Sequence, residues 1–269
     1  LFTDPDVSSK VPFIPNGVTA DFIAAQQGYS REELDAYAAA SHNKAALATE
    51  KGYFKRSLVP VKNELGEVLL SDDELIRPGS SIESMARLNP SFEALGAQGS
   101  DELLCKSFPE VDHIPHHHHP GNSPGMVDGA SLALLATGEM AASLGLPVRA
   151  EIIGFSSKRA AAIEGLTGGY AAAKDVLERT GIAGEDIDLW EFNEGFAATA
   201  MNFAKQLDVP LDRYNVNGGG IAMGHAMGAT GVNILGMMID ELERRKKHTG
   251  LIAISGAAGA GAAMVVRIH

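Results

Sequence analysis

The stretch IDLWEFNEGFAATAMNFAKQL, Ile187 to Leu207, decides how the rest of the chain is read. IDLWEF is a short apolar run rich in strand formers, the length of a buried strand. From Glu194 onward, EGFAATAMNFAKQL places apolar residues at helical spacing. The same alternation continues on both sides. RAEIIGFSS (149–157) reads as a strand, GGYAAAKDVLERTG (168–181) as a helix and YNVNGG (214–219) as a short strand. GHAMGATGVNILGMMIDELERRK (224–246) reads as a long helix, and GLIAISG and AAMVVRIH as closing strands. Strand–helix alternation with apolar strands predicts a layered α/β domain with a largely parallel sheet. Turns at which a strand feeds a helix lie along the carboxyl edge of such a sheet, where ligands bind.

The first 112 residues are built differently. Ser30 and Glu33 in SREELDAYAAASHNKAALATEKG form a capping box, and Gly52 supplies a stop. LVPVKNELGEVLL (58–70) predicts a pair of short strands around Asn63–Gly66. Ser71 with Glu74, and Ser80 with Glu83, mark two further short helices separated by Pro78. This segment reads as an excursion laid on another domain.

Composition narrows the function classes. The net charge of −12 argues against nucleic acid as a partner. A lone cysteine, Cys105, leaves no intrachain disulfide and suggests a reducing, cytoplasmic setting. No run reaches membrane-spanning length. The 30 glycines, about 11% of the chain against a usual ~7%, fall mostly after Gly121. The chain opens on Leu1 without a methionine, so a portion upstream is expected.

Three turns could carry chemistry: FNEGF (192–196), NGGGIAMGHAMG (217–228) and SGAAGAG (255–261). Asn193 and His225 each fall at the start of a predicted helix, where an amide and a neutral imidazole can both donate to a developing oxyanion. Alone, an Asn there reads as an N-cap, and one His among glycines as structural. GGGIAMG is neither a Walker loop nor the dinucleotide fingerprint. Four adjacent histidines, His116–His119, cannot all face one ion, because neighbours in an extended chain alternate sides. They read as a loop beside a ligand channel or as plain surface, and no metal site is predicted. Glu185, Asp186 and Asp188 read as a solvated turn.

In this order and spacing the turns resemble the thiolase family, the CoA-dependent acyltransferases that make or cleave 3-oxoacyl-CoA. NEGF, NVNGGGIAMGHAMGATG and GLIAISGAAGAGAAMVV look like that family's NEAF, GHP and CxG motifs. SREELDAYAAASHNKAALATEKGYF, IRPGSSIESMARLNPSF and HPGNSPGMVDGA resemble its upstream segments. The resemblance spans nearly the whole chain. It implies a thiolase-like layered α/β sandwich: residues 1–112 as a CoA-covering loop domain, 113–146 as the tail of the N-terminal half, and 147–269 as the C-terminal half. Asn193, through an ordered water, and His225 would form the oxyanion hole. Phe196 would line the acyl pocket, Arg77 would lie near the CoA nucleotide, and Ser123 beside the pantetheine. The glycines would let the backbone approach an acyl thioester.

Departures from the pattern matter equally. The family's nucleophilic cysteine belongs to a segment this chain does not contain, and Cys105 matches no catalytic position. Ser255 stands where the family has a second cysteine acting as base, and Ala226 where it has a proline. The implied activity is acyl transfer, with CoA and acyl-CoA as substrates, no bound cofactor, and a role in fatty acid β-oxidation. The alternatives are a non-catalytic acyl-CoA-binding or scaffolding subunit, and a decarboxylating or retro-aldol enzyme on the same fold. The implied partners are further copies in a dimer or tetramer, or an N-terminal half on a separate chain.

Overall fold

The computed structural model describes residues 13–269; the first twelve residues of the segment assigned to 1–112 lie outside it. Two helices open the described chain, α1 (Asn16–Gln27) and α2 (Arg31–Glu50). The predicted capping box closes at α2: Ser30 Oγ accepts the Glu33 N–H, and the Glu33 carboxylate accepts the Ser30 N–H. The helix ends at Glu50, and Gly52 follows at φ +70°, a conformation that glycine adopts without strain. The predicted hairpin is present as β1 (Val61–Lys62) and β2 (Val68–Leu70), antiparallel across the 63–67 turn.

The next two helical starts need correction. No helix follows Ser71, because Pro78 disfavours helical backbone at Arg77 and leaves too few residues for a stable turn. The second start slips by one residue. Ser80 donates its hydroxyl to the Arg77 carbonyl, and Ser81 caps α3 (Ile82–Met85) with Ser84. Helices α4 (Asp101–Ser107) and α5 (Gly138–Ser143) follow, with a long irregular stretch between them.

The C-terminal half contains β3 (Glu151–Arg159), α6 (Gly168–Thr180), β4 (Leu189–Phe192), α7 (Ala197–Gln206), α8 (Gly220–Met223), α9 (Thr230–Arg245), β5 (Thr249–Ser255) and β6 (Ala260–Arg267). The sheet order is β3-β6-β5-β4. It is mixed, which corrects the largely parallel expectation: β4 and β5 run parallel, while β6 is antiparallel to both β5 and β3. The physical reason is connection length. Only Gly256–Gly259 join β5 to β6, enough for a hairpin, whereas a parallel crossover needs about a dozen residues or more. The stretch 214–219 also forms no strand; it contributes only isolated bridges, such as Tyr214 beside Trp190.

Burial alternates across the strands and fixes the layers. Trp190, Phe192, Leu251, Ala253 and Val265 face α6 and α7, packing with Val176 and Phe203. Leu189, Ile252 and Val266 face α9, packing with Ile234, Met238 and Leu242. Burying each such large apolar side chain contributes roughly 1.5–3 kcal/mol. Helices α1 and α2 form a further layer on α7, through Ile23, Leu34, Ala38, Ala197 and Ala198. The excursion therefore shares its core with the C-terminal half, and a small cluster of Val18, Phe22, Leu104 and Ile114 seals its outer side.

Candidate active site

The site lies at the carboxyl ends of β4 and β5. Asn193 continues β4 by one residue and donates its N–H to the Ala253 carbonyl at 3.0 Å, while Ser255 closes β5. Asn193 does not start a helix: α7 begins four residues later, with Phe196 at its cap. The Asn193 side chain is buried, and its Oδ1 has no hydrogen-bond partner among the described residues.

His225 also does not itself start a helix. It follows α8 and comes two residues before a 3-10 turn, Met227–Ala229, that runs straight into α9, and its N–H is donated to the Gly125 carbonyl at 2.8 Å. That bond joins the glycine-rich turn to the loop after Ser123. The half-buried ring lies with Nδ1 2.8 Å from Thr230 Oγ1, and burial holds its pKa below the usual imidazole value. A cavity of about 540 Å³ is lined by Asn193, Gly219, Gly220, Gly224, Ala226 and Thr230, among others. The structure thus brings Asn193 and the chain flanking His225 to one cavity. His225 itself, Ser255, Phe196, Ser123 and Arg77 lie outside that lining; it is the neighbours of His225, Gly224 and Ala226, that border the cavity.

Ser255 Oγ accepts the N–H of Gly169, in the first turn of α6, at 2.8 Å. Ser123 is buried, and its Oγ has no partner among the described residues. Phe196 packs edge-on against Phe92 and His118, at centroid distances of 5.8 and 5.5 Å. Arg77 is exposed on a loop clamped to α2, where its N–H is donated to His42 Nδ1 and Asn43 bonds both Gly79 and Ser80. Cys105 lies on α4, where burial and the nearby Asp101 and Asp112 raise its thiol pKa.

Glu194 is the residue that sequence reasoning missed. Its buried carboxylate accepts from Tyr37 Oη, Ser41 Oγ, Asn215 Nδ2 and the Ile221 N–H, at 2.7 to 3.1 Å. Asn215 in turn bonds both the N–H and the carbonyl of Phe192. A carboxylate in the strand-to-helix turn between Phe192 and Phe196 was the available signal. This pair ties α2, the Asn193 turn and the glycine triplet together.

The glycines accordingly need a different explanation. A Cβ on Gly218, at φ +77°, would come 2.4 Å from the Ser41 carbonyl oxygen, and one on Gly219 would come 2.5 Å from the Glu194 carboxyl carbon. The space beside these two is filled by the protein's own atoms, so their lack of a side chain seats the turn on α2 and Glu194, while Gly219, Gly220 and Gly224 also border the cavity.

The histidine run is neither plain surface nor a channel loop. His118 and His119 are fully buried, with ring nitrogens 2.7 Å from Asp21 and 2.8 Å from Asp35, and His116 bridges Asp21 and Asp101. Of the acidic trio, Asp188 is not a solvated turn residue: its carboxylate accepts the N–H groups of His248 and Thr249 at the start of β5.

Comparison with known proteins adds the following. The model for "Thiolase, C-terminal domain" matches residues 146–268, and that for "Thiolase, N-terminal domain" matches residues 5–100. The acetyl-CoA acetyltransferase of Thiocystis violacea is 36% identical over 254 residues, which is 93% of this chain and 59% of that protein. The 3-ketoacyl-CoA thiolase of Aliivibrio fischeri is 35% identical over 261 residues, 93% of this chain and 61% of its own length. The crystal structure of the Bacillus anthracis acetyl-CoA acetyltransferase superposes with a TM-score of 0.82 at 32% identity. It is matched over 96% of this chain and 62% of its own length. The chain spans about three fifths of the length of these relatives.

Proposed function

The chain belongs to the thiolase family, and from that premise we propose that it forms the oxyanion-stabilising part of a CoA-dependent acyltransferase that cleaves or makes 3-oxoacyl-CoA. One observation carries the reading: the buried Asn193 amide, whose oxygen has no hydrogen-bond partner among the described residues, lines the same cavity as the neighbours of His225. Buried polar groups are almost always paired, so an unpaired one at a cavity wall marks a place for a ligand or a bridging water. The Thr230 hydroxyl, 2.8 Å from Nδ1, can donate to that nitrogen; in that tautomer the neutral His225 ring carries its proton on Nε2 and donates it to the thioester oxygen. A water that donates one hydrogen to Asn193 Oδ1 donates its other to the same thioester oxygen. The acyl acceptor is the cysteine that the family carries in a segment this chain does not contain. Cys105, with its raised thiol pKa, is not suited to that role.

Residues 1–112 are assigned to the loop domain over CoA, with Arg77 near the nucleotide and Ser123 beside the pantetheine. Residues 113–146 are the tail of the N-terminal half, and 147–269 the C-terminal half. Among the described residues no helix is long and apolar enough to cross a membrane. The proposal places the protein in the cytoplasm as a dimer or tetramer, or with its N-terminal half on a separate chain.

The test is thiolysis of a 3-oxoacyl-CoA by this chain together with the segment bearing the nucleophile. His225→Ala should lower kcat by about 10²–10³-fold, the usual effect of losing one oxyanion donor. Undiminished activity would remove His225 from the mechanism. The second reading, a non-catalytic acyl-CoA-binding subunit, is favoured by Ser255, whose hydroxyl is engaged with Gly169 where the family has a cysteine. Acyl-CoA binding without turnover when the nucleophile is supplied would establish it.

A further inference from the structure

Phe196 occupies the cap position of α7, yet its side chain has no oxygen with which to accept the orphan N–H groups of the first turn. Those groups find partners in the histidine loop instead. The Asn122 carbonyl accepts the Ala197 N–H at 3.1 Å, and His118 Nε2 accepts the Ala198 N–H at 3.3 Å. For Nε2 to accept, the ring proton must reside on Nδ1. Asp21, itself fully buried, fixes it there: its Oδ1 lies 2.7 Å from His118 Nδ1 and also accepts the backbone N–H groups of His117 and His118. The ring also packs edge-on against Phe196.

The geometry points to His118 as a positioning residue: held in one tautomer by Asp21, it replaces the missing cap of α7 and thereby fixes the Phe196 ring, which stands outside the lining of the Asn193 cavity. Reading Phe196 as an acyl-pocket residue rests on the proposed function; the Asp21–His118–Ala198 relay does not. The relay lets an aromatic stand where a helix normally demands Ser, Thr, Asp or Asn. It couples the Phe196 side chain to helix α1, which carries Asp21.

Two measurements on the intact chain test the relay. The ¹⁵N spectrum of the His118 ring should show a protonated Nδ1 and an unprotonated Nε2; a protonated Nε2 would overturn the proposal. In His118→Phe, which keeps an aromatic ring but has no acceptor, hydrogen exchange at Ala198 should rise at least about ten-fold, as for a buried N–H left unpaired. His118→Gln, which restores an acceptor, should recover most of that protection. Exchange that rises equally in both variants would mean that His118 serves only as filler.

A third measurement reads the pocket: the ratio of affinities for butyryl-CoA and acetyl-CoA, by calorimetry. His118→Phe should change this ratio by roughly ten-fold, the scale on which an apolar pocket discriminates added methylenes. His118→Gln should return it toward the wild-type ratio. An unchanged ratio alongside altered exchange would overturn the link to Phe196. If the wild-type chain binds neither thioester, the acyl-CoA reading fails, and the ring spectrum and exchange decide the relay by themselves.

Discussion

His42 is almost wholly buried on α2, and burial, then the charge of Arg77, lower its pKa to about 4. In the unfolded chain the same ring takes a proton near pH 6.5. Between those values the unfolded state binds the extra proton, so this contribution to stability is complete above pH 6.5. It is lost progressively as pH falls toward 4. The full loss is of order 3 kcal/mol. Urea midpoints measured from pH 7 to pH 4.5 should fall less steeply for His42→Gln than for the wild type; parallel slopes would remove His42 as the source. Ser255 carries a prediction about chemistry. A hydroxyl is a far weaker base than a thiolate, and losing a general base typically costs ~10²–10⁴-fold. With the nucleophile present, Ser255→Cys should raise Claisen condensation far more than acyl-enzyme formation. Steady-state condensation compared with the acylation burst checks this, and an unaltered condensation rate would mean that another group takes the proton.

Among the elements, the glycine-rich turn makes the sharpest demand on sequence. Gly218 and Gly66 both have positive φ, +77° and +82°, but only Gly218 has atoms where a Cβ would go. Gly66→Ala should therefore cost only the left-handed conformation, about 1–2 kcal/mol. Gly218→Ala should cost clearly more, because the Ser41 carbonyl and Ala45 must also move. Chemical denaturation of the two variants compares them directly; equal losses would mean that α2 yields without cost. This turn also marks where sequence reasoning stops. Helix α2 was legible because its capping box lies within four residues, and β5 was legible because its run of buried residues is almost wholly apolar. The Asn193 and His225 turns were legible as motifs. Their relation to Glu194 was not, since its partners Tyr37 and Ser41 lie 157 and 153 residues away. The histidine run failed for the same reason: Asp21 and Asp35, which bury it, are 97 and 84 residues from His118 and His119. Sheet direction went wrong because the short link between β5 and β6 was read for its glycines and not for its length.

At the scale of the whole molecule, one surface stands out. Leu132, at 95% exposed, is followed by exposed Leu134, Leu135, Met140, Leu144 and Val148 along the stretch before β3. Large apolar side chains exposed at this density along one segment favour association. The chain by itself should bind a hydrophobic dye and sediment as a concentration-dependent mixture, whereas Leu132→Ser, Leu134→Ser and Leu135→Ser combined should sharpen it toward one small species. A wild-type chain that stays monodisperse at high concentration would contradict this. The Glu194 carboxylate has a different kind of consequence, in time. Its partners on α2 leave the ribosome 157 and 153 residues before it does. At about 5–20 residues per second, that interval is roughly 8–30 s. For those seconds α2 exists without the acid that organises its inner face, so the Tyr37 and Ser41 hydroxyls stay without this partner until the second half of the chain has been made.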